Sequence, residues 1–183
     1  MNQLLRTIDD FDKKAALASA RIRSRPLTGF LVFITYSGSG AVWFPLAIVL
    51  VALLRAGFRE HGLVTFLAAM AGALLSLVLG ELLKLIVRRP RPYDAMPEHT
   101  TATRRPTDKS MPSTHASTAV ALLVGLLVAG HPWAWFVLPW SLLVPFSRYY
   151  LGVHYPTDLL AGAALGAAFG LLDWTWLVEA LVL

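Results

Sequence analysis

Residues 62–87 read GLVTFLAAMAGALLSLVLGELLKLIV, and the chain continues as RRPRPY over 88–93. A hydrocarbon layer of about 30 Å is crossed by about 20 helical residues, so this run spans it with length to spare. Its charged residues come late: Glu81 and Lys84 lie about one helical turn apart near its end. Pro90 and Pro92 then bar the helix from continuing, because proline has no amide hydrogen and restricts the residue before it. The pattern is a membrane helix that carries cations to one of its own ends.

The composition of the whole chain agrees. Of 183 residues, 56% are hydrophobic and only 15% charged, well outside the range of a soluble domain. Four further apolar runs follow from the same reading, at 27–54, 113–129, 133–147 and 156–182. The first is long and contains Ser37-Gly38-Ser39-Gly40, which predicts a kink or a helix start near the glycines. The expected fold class is therefore all-α: a polytopic membrane helix bundle of five spans, six if the N-terminal segment also inserts, in a single domain over 1–183. Residues 27–182 make the transmembrane bundle and 88–112 the longest polar loop. The formal charge of +5 does not point to nucleic acid, because the cations flank apolar spans and form no basic stripe on a soluble face. No cysteine is present, which excludes disulfides, thiolate metal sites and cysteine nucleophiles.

Residues 1–25 lack the apolar core of a signal peptide and carry Asp9, Asp10 and Asp12 among their cations. Leu4, Ile8, Phe11, Ala15, Ala18 and Ile22 recur at helical spacing. This predicts an amphipathic helix lying flat at a membrane surface.

Alternating topology puts the connections 88–112 and 148–155 on one side of the membrane. The opposite side receives the turn at 55–61, the Gly130-His131-Pro132 turn and the C-terminus, with Trp133, Trp135, Trp174 and Trp176 near it as an aromatic belt. Three polar clusters consequently face one compartment: Lys84 with Arg91-Pro92, then Pro112-Ser113-Thr114-His115, then Ser147-Arg148 with His154 and Asp158. A charge at the centre of a membrane helix costs about 2.5–3.5 kcal/mol on insertion scales, whereas cations at span ends reach interfacial water or each other.

The clusters hold complementary chemistry. Arg91 is held in an extended segment by its flanking prolines, with Lys84 about two turns back, so the two cations can converge on one anion. Glu81, three residues before Lys84, is spaced to orient it. Pro112 and Ser113 open the third span, where unpaired amides and the Ser113 hydroxyl can meet a phosphate together with the amides of Thr114 and His115. Arg148 supplies a planar fork for phosphate. Asp158, four residues after His154 across Pro156, can fold back onto the imidazole, fix its tautomer and leave the other ring nitrogen free to attack. His61, His99 and His131 lack such surroundings and read as ordinary interfacial histidines.

The patterns K-x6-R-P over 84–92, P-S-T-H over 112–115 and S-R-x5-H-x3-D over 147–158 resemble the three-part signature of the type 2 phosphatidic acid phosphatase superfamily, in order, spacing and position on the spans. The resemblance implies an integral membrane lipid phosphatase, in bacteria of the cytoplasmic membrane. His154 would attack phosphorus and form a phosphohistidine, with Asp158 orienting it. His115 would protonate the departing lipid oxygen and then activate water. Lys84, Arg91, Ser113, Arg148 and the Thr114 amide would hold the phosphoryl oxygens. The implied mechanism uses no metal or other cofactor, and the sequence contains no carboxylate cluster suited to magnesium. The implied substrates are undecaprenyl diphosphate, phosphatidylglycerol phosphate, phosphatidic acid, or a phosphorylated lipid A or polyprenyl sugar. The loop 93–110, with Arg104, Arg105 and Lys109, is the expected head-group reader. One departure stands out: the second motif usually carries glycine where this chain has Thr114, which predicts a tighter space beside the phosphate.

Two other classes compete with this reading. Soluble vanadium haloperoxidases share the signature, with vanadate in the phosphate site, but the apolar spans and small size argue against them. A nonenzymatic transporter or scaffold accounts for the spans and leaves the histidine, cation and carboxylate set unexplained. The membrane side that the site faces stays open. All lysines and arginines but Arg55 and Arg59 lie on it, which the positive-inside rule would make cytoplasmic, yet Lys84, Arg91 and Arg148 have a catalytic reason to be there. Neither the individual lipid nor the oligomeric state is written in the sequence.

Overall fold

The computed structural model describes residues 3–56 and 61–182, and all secondary structure among them is helical. The helices are α1 (Gln3–Arg21), α2 (Arg25–Ser37), α3 (Gly40–Arg55), α4 (His61–Val87), α5 (Pro92–Ala95), α6 (Thr114–Val128), α7 (Ala134–Tyr150), α8 (Pro156–Gly170) and α9 (Thr175–Val182). The connection at 57–60, expected to turn on the face away from the polar clusters, lies outside the described residues.

The run that opens the sequence forms α4, a helix of 27 residues. By length and composition, one stretch among the described residues is long and apolar enough to cross a membrane, Gly62–Ala95; counting each of two bent helix pairs as one span gives three. The first pair is α2 with α3, bent by 53° at the Ser37–Gly40 break where the glycines predict a kink. The second is α8 with α9, bent by 68°, and it corrects the expected unbroken span over 156–182. The break has a local cause. Asp173 accepts hydrogen bonds from the Thr175 amide at 2.9 Å and hydroxyl at 2.7 Å, capping a new helix, while Trp174 donates its indole N–H to the Phe169 carbonyl at 2.9 Å.

α6 lies at the centre, packed against α8, α4 and α7. Its approach to α8 depends on Gly162, Gly166 and Gly170, spaced every fourth residue. A Cβ at these positions would run into the carbonyl oxygens of Ser113, Ser117 and Ala121, so only glycine lets the two backbones meet, as small residues do between membrane helices. This contact brings the start of α6, with His115, beside the start of α8, with Asp158. The apolar core lies toward the other end and includes Leu67, Met70, Leu122, Leu126 and Val178. Beyond it stand the tryptophans: Trp133, Trp135 and Trp176 are exposed, and Trp174 stacks on Phe169.

α1 has an inner face that its apolar spacing does not predict. Leu4, Leu5, Ile8 and Phe11 point outward, and the residues buried against the bundle are Asp12, Ala16 and Ser19.

Candidate active site

The three clusters meet in one cavity of about 210 Å³, well above the roughly 10–15 Å³ that on this measure admits one water molecule. Glu81 and Lys84 reach it from α4, Thr114 and His115 from the start of α6, and Arg148 from the last turn of α7. Arg91, Asp108 and His154 complete it from the loops. Ser113 is not among the lining residues. Its side chain caps α6, accepting from the Ala116 amide at 3.5 Å.

Arg91 has the extended backbone that its flanking prolines predict, with φ −75° and ψ 160°, and its guanidinium is buried. One terminal nitrogen donates to the Val153 carbonyl at 2.8 Å and lies 3.1 Å from Nε2 of His154. Arginine has only donors, so this contact makes Nε2 the unprotonated acceptor and puts the imidazole proton on Nδ1. Nδ1 faces Asp158 at 3.5 Å. The carboxylate thus stands behind the ring, and Nε2, in contact with Arg91, stands on the cavity side. Burial, followed by the nearby charges of Arg148, Arg91 and Lys84, holds the His154 pKa well below the ordinary histidine value.

Lys84 is almost wholly buried and has three oxygen partners: Glu81 at 2.9 Å, as the three-residue spacing predicts, Thr114 Oγ1 at 3.3 Å, and Asp108 at 2.5 Å. Thr114, where the resemblance predicts a tighter space, lines the cavity but turns its methyl away toward α4. Its methyl rests against Gly80, where a Cβ would come within 2.8 Å of it, so the missing side chain on α4 makes room for the extra one on α6. Arg148 donates to the Thr35 hydroxyl of α2 at 2.9 Å and keeps its Nε without a partner.

Residues 61–181 match the family model of the PAP2 superfamily. The chain belongs to this superfamily. It is 32% identical over 148 residues to the undecaprenyl-diphosphatase of Sulfolobus acidocaldarius, covering 80% of this chain and 69% of the relative. It is likewise 32% identical over 149 residues to undecaprenyl-diphosphatase BcrC of Bacillus subtilis, covering 80% and 72%. In fold it resembles the crystal structure of the transmembrane PAP2-type phosphatidylglycerolphosphate phosphatase of Bacillus subtilis, with a TM-score of 0.73 and 23% identity over 95% of this chain and 85% of that one.

Within this PAP2 scaffold, four polar residues that the sequence reading did not single out join the site. Asp108 bridges the two leading cations, binding Lys84 and accepting from Arg91 at 2.8 Å, while its carbonyl accepts from Arg91 Nε at 2.8 Å. Burial pushes its carboxyl up, but the Lys84 hydrogen bond and the Arg91 charge outweigh that and bring it down to about 2. Its partners are two of the cations that the resemblance expects to bind phosphate. Thr35 orients Arg148. Arg89 and Asp12 lie behind Asp158: Arg89 donates to Asp158 at 2.8 Å and to Asp12 at 2.7 Å. Asp108, two residues before Ser110 in a polar loop, carried no pattern of its own, and Asp12 and Thr35 lie on other helices far away in the chain. Arg89 sits inside the quoted RRPRP, masked by the motif arginine two residues later. Of the histidines expected to be ordinary, His99 is in fact buried, bonded to the Gly152 carbonyl at 2.9 Å, and His131 is bonded to that of Gly62 at 3.1 Å.

Proposed function

We propose that this protein hydrolyses a phosphate ester or diphosphate carried by a membrane lipid, with His154 as the nucleophile. The observation that carries the reading is the orientation of His154, whose unprotonated Nε2 shares the cavity with Lys84, Arg91, Arg148 and His115 while its protonated Nδ1 faces Asp158. A phosphoryl group that displaced Asp108 from Lys84 and Arg91 would come within reach of Nε2. Attack forms the N–P bond as the bond to the lipid oxygen breaks, and His115 gives its proton to that oxygen. His115 then takes a proton from water, the resulting hydroxide attacks phosphorus, and the N–P bond breaks to release inorganic phosphate and neutral His154. Lys84, Arg91, Arg148 and the amides of Thr114 and His115 hold the phosphoryl oxygens throughout and stabilise the charge of the transition state. Ser113 contributes by capping the helix that presents those amides.

The proposed setting is a bacterial cytoplasmic membrane, with one domain of five spans in which α2 with α3 and α8 with α9 each count as one. The outward apolar face of α1 would lie in the lipid interface. The identity to two undecaprenyl-diphosphatases favours a polyprenyl diphosphate, and Arg104, Arg105 and Lys109 of the loop are its proposed head-group contacts. Purified protein should release inorganic phosphate from members of a panel of lipid monophosphates and diphosphates, equally with and without chelator, and His154→Ala should release none. Loss of activity in chelator would overturn the metal-free mechanism.

A further inference from the structure

Asp12 is fully buried on a helix whose large apolar side chains point outward. A buried carboxylate is costly unless it is paired and hydrogen-bonded, and Asp12 is both. It accepts from Arg89 at 2.7 Å, from the Thr157 amide at 3.2 Å and from the Thr157 hydroxyl. Thr157 and Asp158 follow Pro156 in the first turn of α8, where backbone N–H groups lack helical partners. Asp12 therefore caps α8 from another helix, one residue away from the carboxylate that faces His154.

Arg89 joins the two carboxylates. One of its terminal nitrogens binds Asp158 at 2.8 Å and the Thr157 hydroxyl at 2.7 Å, the other binds Asp12, and the guanidinium lies over the Tyr155 ring at 4.2 Å. Asp158 divides its oxygens accordingly. Oδ1 takes Arg89, and Oδ2 takes the Tyr155 amide at 2.9 Å and faces His154. With one guanidinium shared between two carboxylates, Asp158 keeps negative charge directed at the imidazole, which becomes cationic as the N–P bond forms. With Asp12 neutral, Arg89 would have Asp158 as its one anionic partner and would offset that charge.

We propose that Asp12 is a positioning residue for the reaction, acting through Arg89 and the first turn of α8 to hold Asp158 oriented behind His154 with its charge less offset by Arg89, so that docking of α1 completes the site. This rests on the reading of His154 as the nucleophile. Asp12 does not line the cavity, so its loss should lower kcat and leave KM unchanged.

The test uses Asp12→Asn and Asp12→Ser in the full-length protein; both side chains can still cap Thr157 but carry no charge. Each should lower kcat about tenfold, equivalent to about 1.4 kcal/mol, with KM and the affinity for orthovanadate within about twofold of the parent. In an Asp158→Asn background the same changes should leave the rate of phosphoenzyme formation unaltered, because the effect passes through Asp158. Tyr149→Phe, which removes a separate α1 contact to the Ala15 carbonyl, should leave kcat unchanged. Equal fold losses in both backgrounds, or a parental kcat in both Asp12 variants, would overturn the proposal. If His154→Ala is inactive and the Asp12 variants behave like the parent, this inference alone fails. If His154→Ala stays active, the underlying reading of the site fails.

Discussion

Arg91 approaches Nε2 of His154 to 3.1 Å, and because a guanidinium can only donate, that contact fixes which imidazole nitrogen carries no proton. The same arginine is anchored to the Val153 carbonyl, one residue before the histidine, so cation and imidazole are held as a unit. Replacing Arg91 by lysine should therefore harm more than phosphate affinity. Lysine keeps the charge but cannot bridge Val153, His154 and Asp108 together. Arg91→Lys should lower kcat at least tenfold as well as raise KM, measured on phosphate release; a change in KM alone would show that Arg91 only binds substrate.

The acid side of the pH profile follows from His154. Burial and three neighbouring cations hold its pKa well below 6.5, so the ring stays neutral and able to attack in mildly acidic solution. The acid limb of log kcat/KM should fall below pH 6.5. The sign for stability is opposite to that of a paired histidine. As pH drops through about 6.5 the unfolded chain takes up the proton first, so stability contributed at this position is lost toward acid. His154→Gln should flatten the dependence of the thermal midpoint on pH between neutrality and pH 5, and an unchanged slope would contradict it.

Asp108 is predicted to compete with substrate. Its carboxylate, held at a pKa of about 2, stays charged over the working range and occupies Lys84 and Arg91. Asp108→Asn should tighten inhibition by orthovanadate or inorganic phosphate by roughly tenfold, about the effect of removing 1.4 kcal/mol of like-charge opposition. Weaker inhibition in this variant would mean that Asp108 orders the cations more than it blocks them.

Much of this was legible in the chain, for reasons that are local. Apolar runs and their proline and glycine boundaries predict α4, the break between α2 and α3, and the start of α6 at Ser113. Motif spacing gathers Lys84, Arg91, His115, Arg148, His154 and Asp158, because each stands at or near a helix end on one face. Two kinds of feature escaped. The bend between α8 and α9 is made by Asp173 capping Thr175, a short polar signal inside an apolar run. Asp12, Thr35 and Asp108 act only through partners distant in sequence, and no periodicity marks such pairs.

Thr114 and Gly80 make a packing pair that can be tested by sign. Gly80→Ala places a methyl 2.8 Å from Thr114 Cγ2, and overpacking of this kind costs about 1–3 kcal/mol, against a helix-propensity gain of up to about 1 kcal/mol. Gly80→Ala should lower the thermal midpoint in the parent and raise it in a Thr114→Ser background, where the methyl is gone and the hydroxyl bonded to Lys84 remains. The same sign in both backgrounds would exclude the pairing.

The central claim is a covalent phosphoryl intermediate on His154, and trapping it tests that claim most directly. Detergent-purified parent protein should be quenched within the first turnovers of its reaction with a ³²P-labelled lipid phosphate in the presence of chelator. It should carry label that survives alkali, is lost in acid, and maps to the peptide containing His154. The His154→Ala variant should carry none. Label mapping to another residue, or phosphate release by His154→Ala at the parental rate, would contradict the account.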